Sequence, residues 1–204
     1  MPDDPSAQWP DPNYHLGQRD HLHALGAVVA AYNHLEFSFF VLFGRYIKAQ
    51  GSLRIFVLLS NHNRIDLLEK ALDETENPTV KDAVQHFIKG FGTLTDTRNF
   101  LAHSHTILND PEQKHLTFGK GSRRDPGDFS FAHMKLEDLR RVADEIHTFQ
   151  GYGAALDSWL AARAQAVVMR EPNFGDPRRA YTPSLPEKPP LPDVLKSGPH
   201  HIPE

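Results

Sequence analysis

Residues 96–105 read Asp-Thr-Arg-Asn-Phe-Leu-Ala-His-Ser-His, and within them Arg98, Asn99 and His103 are the side chains best suited to chemistry. An arginine presents a rigid fork of donors that matches phosphate oxygens. An imidazole that titrates near neutrality can take or give a proton, and a neighbouring amide can orient it. These are the parts that metal-free cleavage of a phosphodiester requires. Their spacing adds a constraint. Five helical steps set Arg98 and His103 roughly 140° apart around a helix axis, whereas Asn99 and His103, four apart, share a face. One copy of the motif is thus a splayed half-site, and pairing two copies of its helix in a symmetric dimer would bring two arginines and two histidines to one groove. The competing reading is purely structural: His103 is favoured by the helix dipole at a C-terminus and Arg98 is simply paired.

The elements that must hold these residues are legible as periodicity. In the first helix, expected from about Arg19 to Gln50, Leu25, Val28, Tyr32, Leu35, Phe39, Leu42 and Tyr46 fall on one face and Gly51 ends the run. Ser52 is the expected N-cap of a second helix carried by Leu53, Phe56, Val57, Leu67, Leu68, Ala71 and Leu72. Asn77-Pro78 opens a third, with Val80, Val84, Phe87, Ile88, Phe91, Leu94 and Leu101 inward and the motif at its end. Gly90 and Gly92 mark an expected kink. Short β-type runs follow at Thr106–Leu108, His115–Phe118 and Phe129–Phe131. Helical spacing returns at Leu136, Leu139, Val142, Ile146 and Phe149, with Gly151 and Gly153 as an expected break before Trp159 and Leu160. The chain therefore divides into a loose leader, 1–18, a helical body, 19–168, with a β insertion at about 106–133, and a proline-rich tail, 169–204, extended and either disordered or docked in polyproline form. The fold class expected is mainly α: an antiparallel bundle of four to five helices with a small β-hairpin insertion between the third and fourth.

Three charges interrupt apolar stripes. Glu36 borders the buried face of the first helix, Arg64 lies on the inner stripe of the second, and Arg98 continues the series Val84, Phe87, Phe91, Leu94. Partly buried charges need partners, so Glu36 is expected to neutralise Arg64 or Arg98.

Arg98-Asn99-Phe100-Leu101-Ala102-His103 resembles the signature of the HEPN superfamily: an arginine, a polar residue and, a few positions on, a histidine. The context is similar too, with Tyr32-Asn33-His34-Leu35-Glu36 on a long first helix and Asn63-Arg64-Ile65-Asp66-Leu67-Leu68 on the second. The resemblance covers about residues 20–165. It implies an all-α bundle that dimerises through its motif helices and, in active members, cuts RNA without a metal. In that scheme the ribose 2′-hydroxyl attacks the adjacent phosphate, His103 is base or acid, Arg98 steadies the phosphate and Asn99 positions the histidine or the substrate. Glu36, Arg64 and Asp96 would be supporting residues. A toxin–antitoxin or anti-phage role, with an antitoxin-like protein partner, belongs to the same expectation, as does the non-catalytic nucleotide- or RNA-binding or assembly role of members that have lost activity.

Composition sets the outer bounds. The 204 residues hold no cysteine and carry a formal charge of −4, which excludes disulfides and thiolate metal sites and argues against a broad basic surface. No apolar run of about 18 residues is evident and no secretory signal opens the chain, so a cytoplasmic protein with no membrane span is expected. The His-x-His pairs His21/His23 and His103/His105 raise a metal site, but carboxylates at ligand spacing are scarce, so no metal and no cofactor is expected. Arg123-Arg124 in the insertion are candidate RNA contacts if the insertion folds over the groove. A third class of function, protein interaction, would use the tail segment Pro183–Pro192 to dock a partner.

Overall fold

Asn77 accepts a hydrogen bond from the Val80 amide (3.1 Å) with its side chain, so Asn77-Pro78 caps and starts the motif helix as its chemistry dictates. The computed structural model describes residues 19–48, 51–107, 115–121, 129–168, 184–193 and 198–199. In chain order these form helices α1 (Arg19–Tyr46), α2 (Ser52–Leu58), α3 (Asn61–Thr75) and α4 (Pro78–His103), strands β1 (His105–Ile107), β2 (His115–Gly121) and β3 (Phe129–Lys135), helix α5 (Leu136–Val168) and a two-residue strand β4 (Gly198–Pro199). The protein is mainly helical, with a small antiparallel sheet between α4 and α5. The leader 1–18 lies outside the described residues.

The expected second helix is two. Leu59 and Ser60 are extended, and the Ser60 side chain accepts from the Asn63 amide, capping α3. The run Phe56–Leu59 hid this stop, because its apolar residues continue the periodic count across the break. Val57, expected in the core, is 67% exposed. The motif therefore ends the fourth helix, and the insertion follows the fourth rather than the third. Gly51, in the left-handed region at φ 88°, precedes α2 in place of a side-chain cap.

The chain clusters into two units. One comprises residues up to Ala30, Asp96–Asp144 and Val194 onward; the other comprises Ala31–Thr95 and Glu145–Asp193. In the first, β2 pairs with β3 in the register Leu116↔Met134, Thr117↔His133, Phe118↔Ala132. The period-2 alternation puts Leu116, Phe118, Ala132 and Met134 on one face, all buried, and this unit's core also holds Ala24, Val28, Leu101, Leu139 and Val142. On the opposite face Thr117 Oγ1 meets His133 Nδ1 at 2.9 Å. His21 is also buried here, and neither ring nitrogen has a hydrogen-bond partner among the described residues. Such atoms cost desolvation without return, so His21→Leu is expected to raise stability by about 1–3 kcal/mol in chemical denaturation. A loss instead would show that the ring's packing outweighs its orphaned nitrogens.

The second unit is built on aromatic rings. Phe39 stacks on Phe91 (4.2 Å, 8°) and tilts against Phe56, which meets Phe43 edge-on. Around them Tyr32, Leu35, Leu42, Leu68, Leu72, Val84, Phe87, Ile88 and Phe149 are fully buried or nearly so. The glycines expected to break α5 do not, and α4 is likewise continuous through Gly90 and Gly92. A Cβ on Gly90 would lie 1.9 Å from Phe149 Cε1, and one on Gly153 would lie 2.5 Å from Phe87 Cε2. These glycines admit facing rings. Gly151, by contrast, is exposed with nothing within 4 Å of a built Cβ. Gly151→Ala is therefore expected to stabilise by about 0.5–1 kcal/mol through helix propensity. Gly90→Ala gains the same propensity but overpacks a buried ring, at a cost of about 1–3 kcal/mol or more, and is expected to lower the unfolding midpoint. Equal midpoints for the two variants would refute this account of Gly90.

The expectation of no segment fit to cross a membrane needs one correction. Within α1, Asp20–Tyr46 reaches a mean hydropathy of 1.4 over an 18-residue window, because its Val, Ala, Leu and Phe residues outweigh the polar residues that interrupt the run. Its stripe Val28, Tyr32, Leu35, Phe39 and Leu42 is completely buried within the protein.

Candidate active site

The motif lies in the last two turns of α4. Leu101 is buried at 3% exposure and Phe100 approaches the Phe118 ring of β2 at 6.4 Å, so apolar contacts on one side of the helix fix its rotation. Arg98 and Asn99 are left half-buried and His103, the final helical residue, exposed. Arg98 Nη1 donates to Asn99 Oδ1 at 3.0 Å. The amide oxygen is thus turned to the arginine rather than to the imidazole, and His103 makes no hydrogen bond among the described residues. Five residues correspond to about 7.5 Å of helix rise, so one chain holds its cation and its proton carrier apart. Ser104 caps the turn, its hydroxyl donating to the Phe100 carbonyl at 2.5 Å.

Of the supporting residues, Asp96 is exposed and makes no ion pair among the described residues. Glu36 and Arg64 belong to the other unit and find each other: Arg64 Nη1 donates to Glu36 Oε1 at 2.9 Å and to Asn61 Oδ1 at 2.6 Å, while Nε donates to the Phe56 carbonyl at 2.7 Å and the guanidinium covers the Phe56 ring at 3.9 Å. Of the two partners open to Glu36 in the sequence, the structure selects Arg64. Arg123 and Arg124 lie outside the described residues. His103 ends a helix and His105 opens β1, so this His-x-His pair is not on one extended segment, and among the described residues no three His, Cys, Asp or Glu side chains converge on a point where a metal would sit.

A second polar cluster escaped sequence reading. Glu76, just past α3, accepts from Arg163 at 2.7 Å and from the Tyr46 hydroxyl at 3.3 Å, and Arg45 pairs with Asp157. Arg45, Tyr46, Lys48, Glu76 and Arg163 line a groove of about 690 Å³. Burial, and then the Glu76 carboxylate, hold the Tyr46 phenol far above its ordinary range, so it stays a donor. The sequence signal was faint: Arg45 lies in a final turn and Glu76 just past a helix end, where charges are unremarkable, and their partners Asp157 and Arg163 are distant in sequence. A smaller hollow of about 280 Å³ is lined by Asp20, His23, Arg140 and Asp144. Neither includes a motif residue.

Comparison with models of known protein families, with curated proteins and with solved structures gives no match to this chain.

Proposed function

We propose that the protein is a cytoplasmic, metal-independent endoribonuclease of HEPN type, in which the helices form an antiparallel bundle and two copies of α4 complete the site. The observation that carries this reading is the placement of Arg98, Asn99 and His103 at the solvent-facing end of one rigid helix, with the histidine exposed and the arginine steered by the amide. In the reaction, one His103 removes the proton of the ribose 2′-hydroxyl as that oxygen bonds to phosphorus. The bond from phosphorus to the 5′ oxygen breaks, and the second histidine of the dimer, protonated, supplies a proton to that leaving oxygen. The two Arg98 guanidinium groups hold the non-bridging oxygens as charge develops on them. The products are a 2′,3′-cyclic phosphate and a 5′-hydroxyl.

The test is incubation of a mixed RNA pool with the protein in excess EDTA, with the product ends analysed. Cyclic-phosphate ends, and a rate per protomer that falls on dilution through the dimer's dissociation constant, are expected. Cleavage leaving 5′-phosphates, or abolished by EDTA, would overturn the mechanism. Saturable RNA binding by a dimer without cleavage would favour the non-catalytic alternative, for which the engagement of Arg98 by Asn99 already offers a structural role.

A further inference from the structure

Part of the tail is docked on its own protein. Residues 184–193 read Ser-Leu-Pro-Glu-Lys-Pro-Pro-Leu-Pro-Asp and run without helix or strand along the second unit. Proline fixes φ and removes amide donors, so such a stretch is already extended and its carbonyls are open to outside donors. Two anchors seat it. Lys188 pairs with the Asp82 carboxylate, and the Pro189 carbonyl meets His86 Nε2 at 2.8 Å. A carbonyl only accepts, so that nitrogen carries the proton. Asp82 and His86 are four apart on α4 and therefore share a face. Beneath them the His86 ring stacks on Phe149 (5.8 Å, 20°) and meets Tyr152 edge-on (5.7 Å, 89°). The Tyr152 hydroxyl is used internally, donating to the Ala83 carbonyl at 3.0 Å. Three residues on from Pro189, Pro192 is buried.

An acid beside the basic residue, a donor for a proline carbonyl and an aromatic floor are the components by which folded domains recognise polyproline segments. We propose that the α4 face at Asp82 and His86, whose ring is backed by the buried Phe149 and Tyr152, is a recognition site for Lys-Pro-Pro-x-Pro segments. In the resting chain it is occupied by residues 188–192, which a partner protein carrying the same type of segment displaces. The hold is of a kind that can be exchanged. The Asp82 side chain is 71% exposed, where an ion pair is worth little on its own, and the segment gains occupancy from belonging to the same chain, which raises its effective concentration. The occupant seated on the surface identifies the chemistry of the competitor. This reading stands apart from the proposed nuclease and survives its failure.

The test uses the full-length chain with its own ligand disabled by Lys188→Ser, Pro189→Gly, Pro190→Ser and Pro192→Ser, and a fluorescent peptide of residues 184–193 as probe. Saturable binding to this variant is expected, at least ten-fold weaker for wild type, whose site is filled, and at least ten-fold weaker when His86→Ala is added. Lys188→Glu alone, which sets a carboxylate against Asp82, is a second, milder release and should admit the probe more readily than wild type does. Failure of the folded four-residue variant to bind, or binding indifferent to His86→Ala, would overturn the proposal. A wild-type dimer growing with concentration and abolished by Lys188→Glu would also overturn it, by assigning the site to the tail of a second copy.

Discussion

His103→Ala is expected to lower RNA cleavage by about 10²–10⁴-fold, the range a positioned proton carrier contributes, while leaving the fold and the dimer intact. The fold should survive because the His103 side chain is exposed, makes no hydrogen bond among the described residues and ends its helix, so its removal takes away no core contact. Arg98→Ala should cost about 10²–10³-fold, the scale for loss of one donor to developing charge, and Arg98→Lys should not rescue it, because a point charge does not reproduce a fork that grips both amide and phosphate. Asn99 separates orientation from mere presence. Since Arg98 Nη1 donates to Asn99 Oδ1, Asn99→Asp would replace a neutral acceptor with a carboxylate, hold the guanidinium more tightly and set a negative charge beside the incoming phosphate. It should therefore be more damaging than Asn99→Ala. Measured single-turnover rates in EDTA decide this, and an Asn99→Asp variant as active as wild type would sink the assigned role of Arg98.

What sequence could and could not foresee follows from the range of the forces involved. The inner stripes of α1 and α4 were legible because burial repeats with the helical period: Val28, Tyr32, Leu35, Phe39 and Leu42 on one, Val84, Phe87, Ile88 and Phe91 on the other, are all buried. The cap at Asn77-Pro78 was legible because it is local chemistry. The stop at Ser60 was equally local but was outvoted by the apolar run before it, which is how an average over a window conceals a single residue. Gly151 and Gly153, expected to break α5, misled for a different reason. A glycine's meaning depends on what faces it, and that Phe149 lies against Gly90 while open space surrounds Gly151 is a tertiary fact with no trace in either residue's neighbours. The motif was visible as a string, but the turn of the Asn99 oxygen toward Arg98 rather than His103 was not, since both partners are within reach of the same amide. Of the tail, composition gave the choice between disordered and docked, and only the pairing of Lys188 with Asp82 and of Pro189 with His86 selects docking for residues 184–193.

The largest stability effect is expected at Arg64. Its bonds belong to a directed chain: Arg64 donates to Asn61 Oδ1, Asn61 Nδ2 to the Tyr32 oxygen at 3.1 Å, and the Thr95 hydroxyl to the Phe91 carbonyl at 2.7 Å. Thr95 has one proton and spends it on Phe91, so Tyr32 must be the donor in its 2.7 Å bond to Thr95. Every hydrogen therefore points away from the guanidinium, and removing Arg64 leaves the amide of Asn61 without the cation that fixes its orientation. Arg64→Ala also strips the Phe56 carbonyl and Glu36 of their donor and uncovers the Phe56 ring. Breaking a buried pair costs about 3–5 kcal/mol. Here Arg64 is 11% exposed but Glu36 32%, so water can take over at the carboxylate, and we expect about 2–4 kcal/mol. With roughly 2–4 °C per kcal/mol for a chain of this size, the midpoint should fall by about 4–16 °C. Glu36→Gln should cost less, on the order of 1 kcal/mol, because an amide oxygen still accepts from Arg64. The double variant should then be less unstable than the sum of the singles, since the groups share one interaction. If Arg64→Ala shifts the midpoint by less than about 2 °C, the chain of bonds is solvated and holds nothing together. If it melts early yet cleaves RNA at the wild-type rate well below its midpoint, Arg64 and Glu36 support the fold alone, and the chemistry belongs to the end of α4.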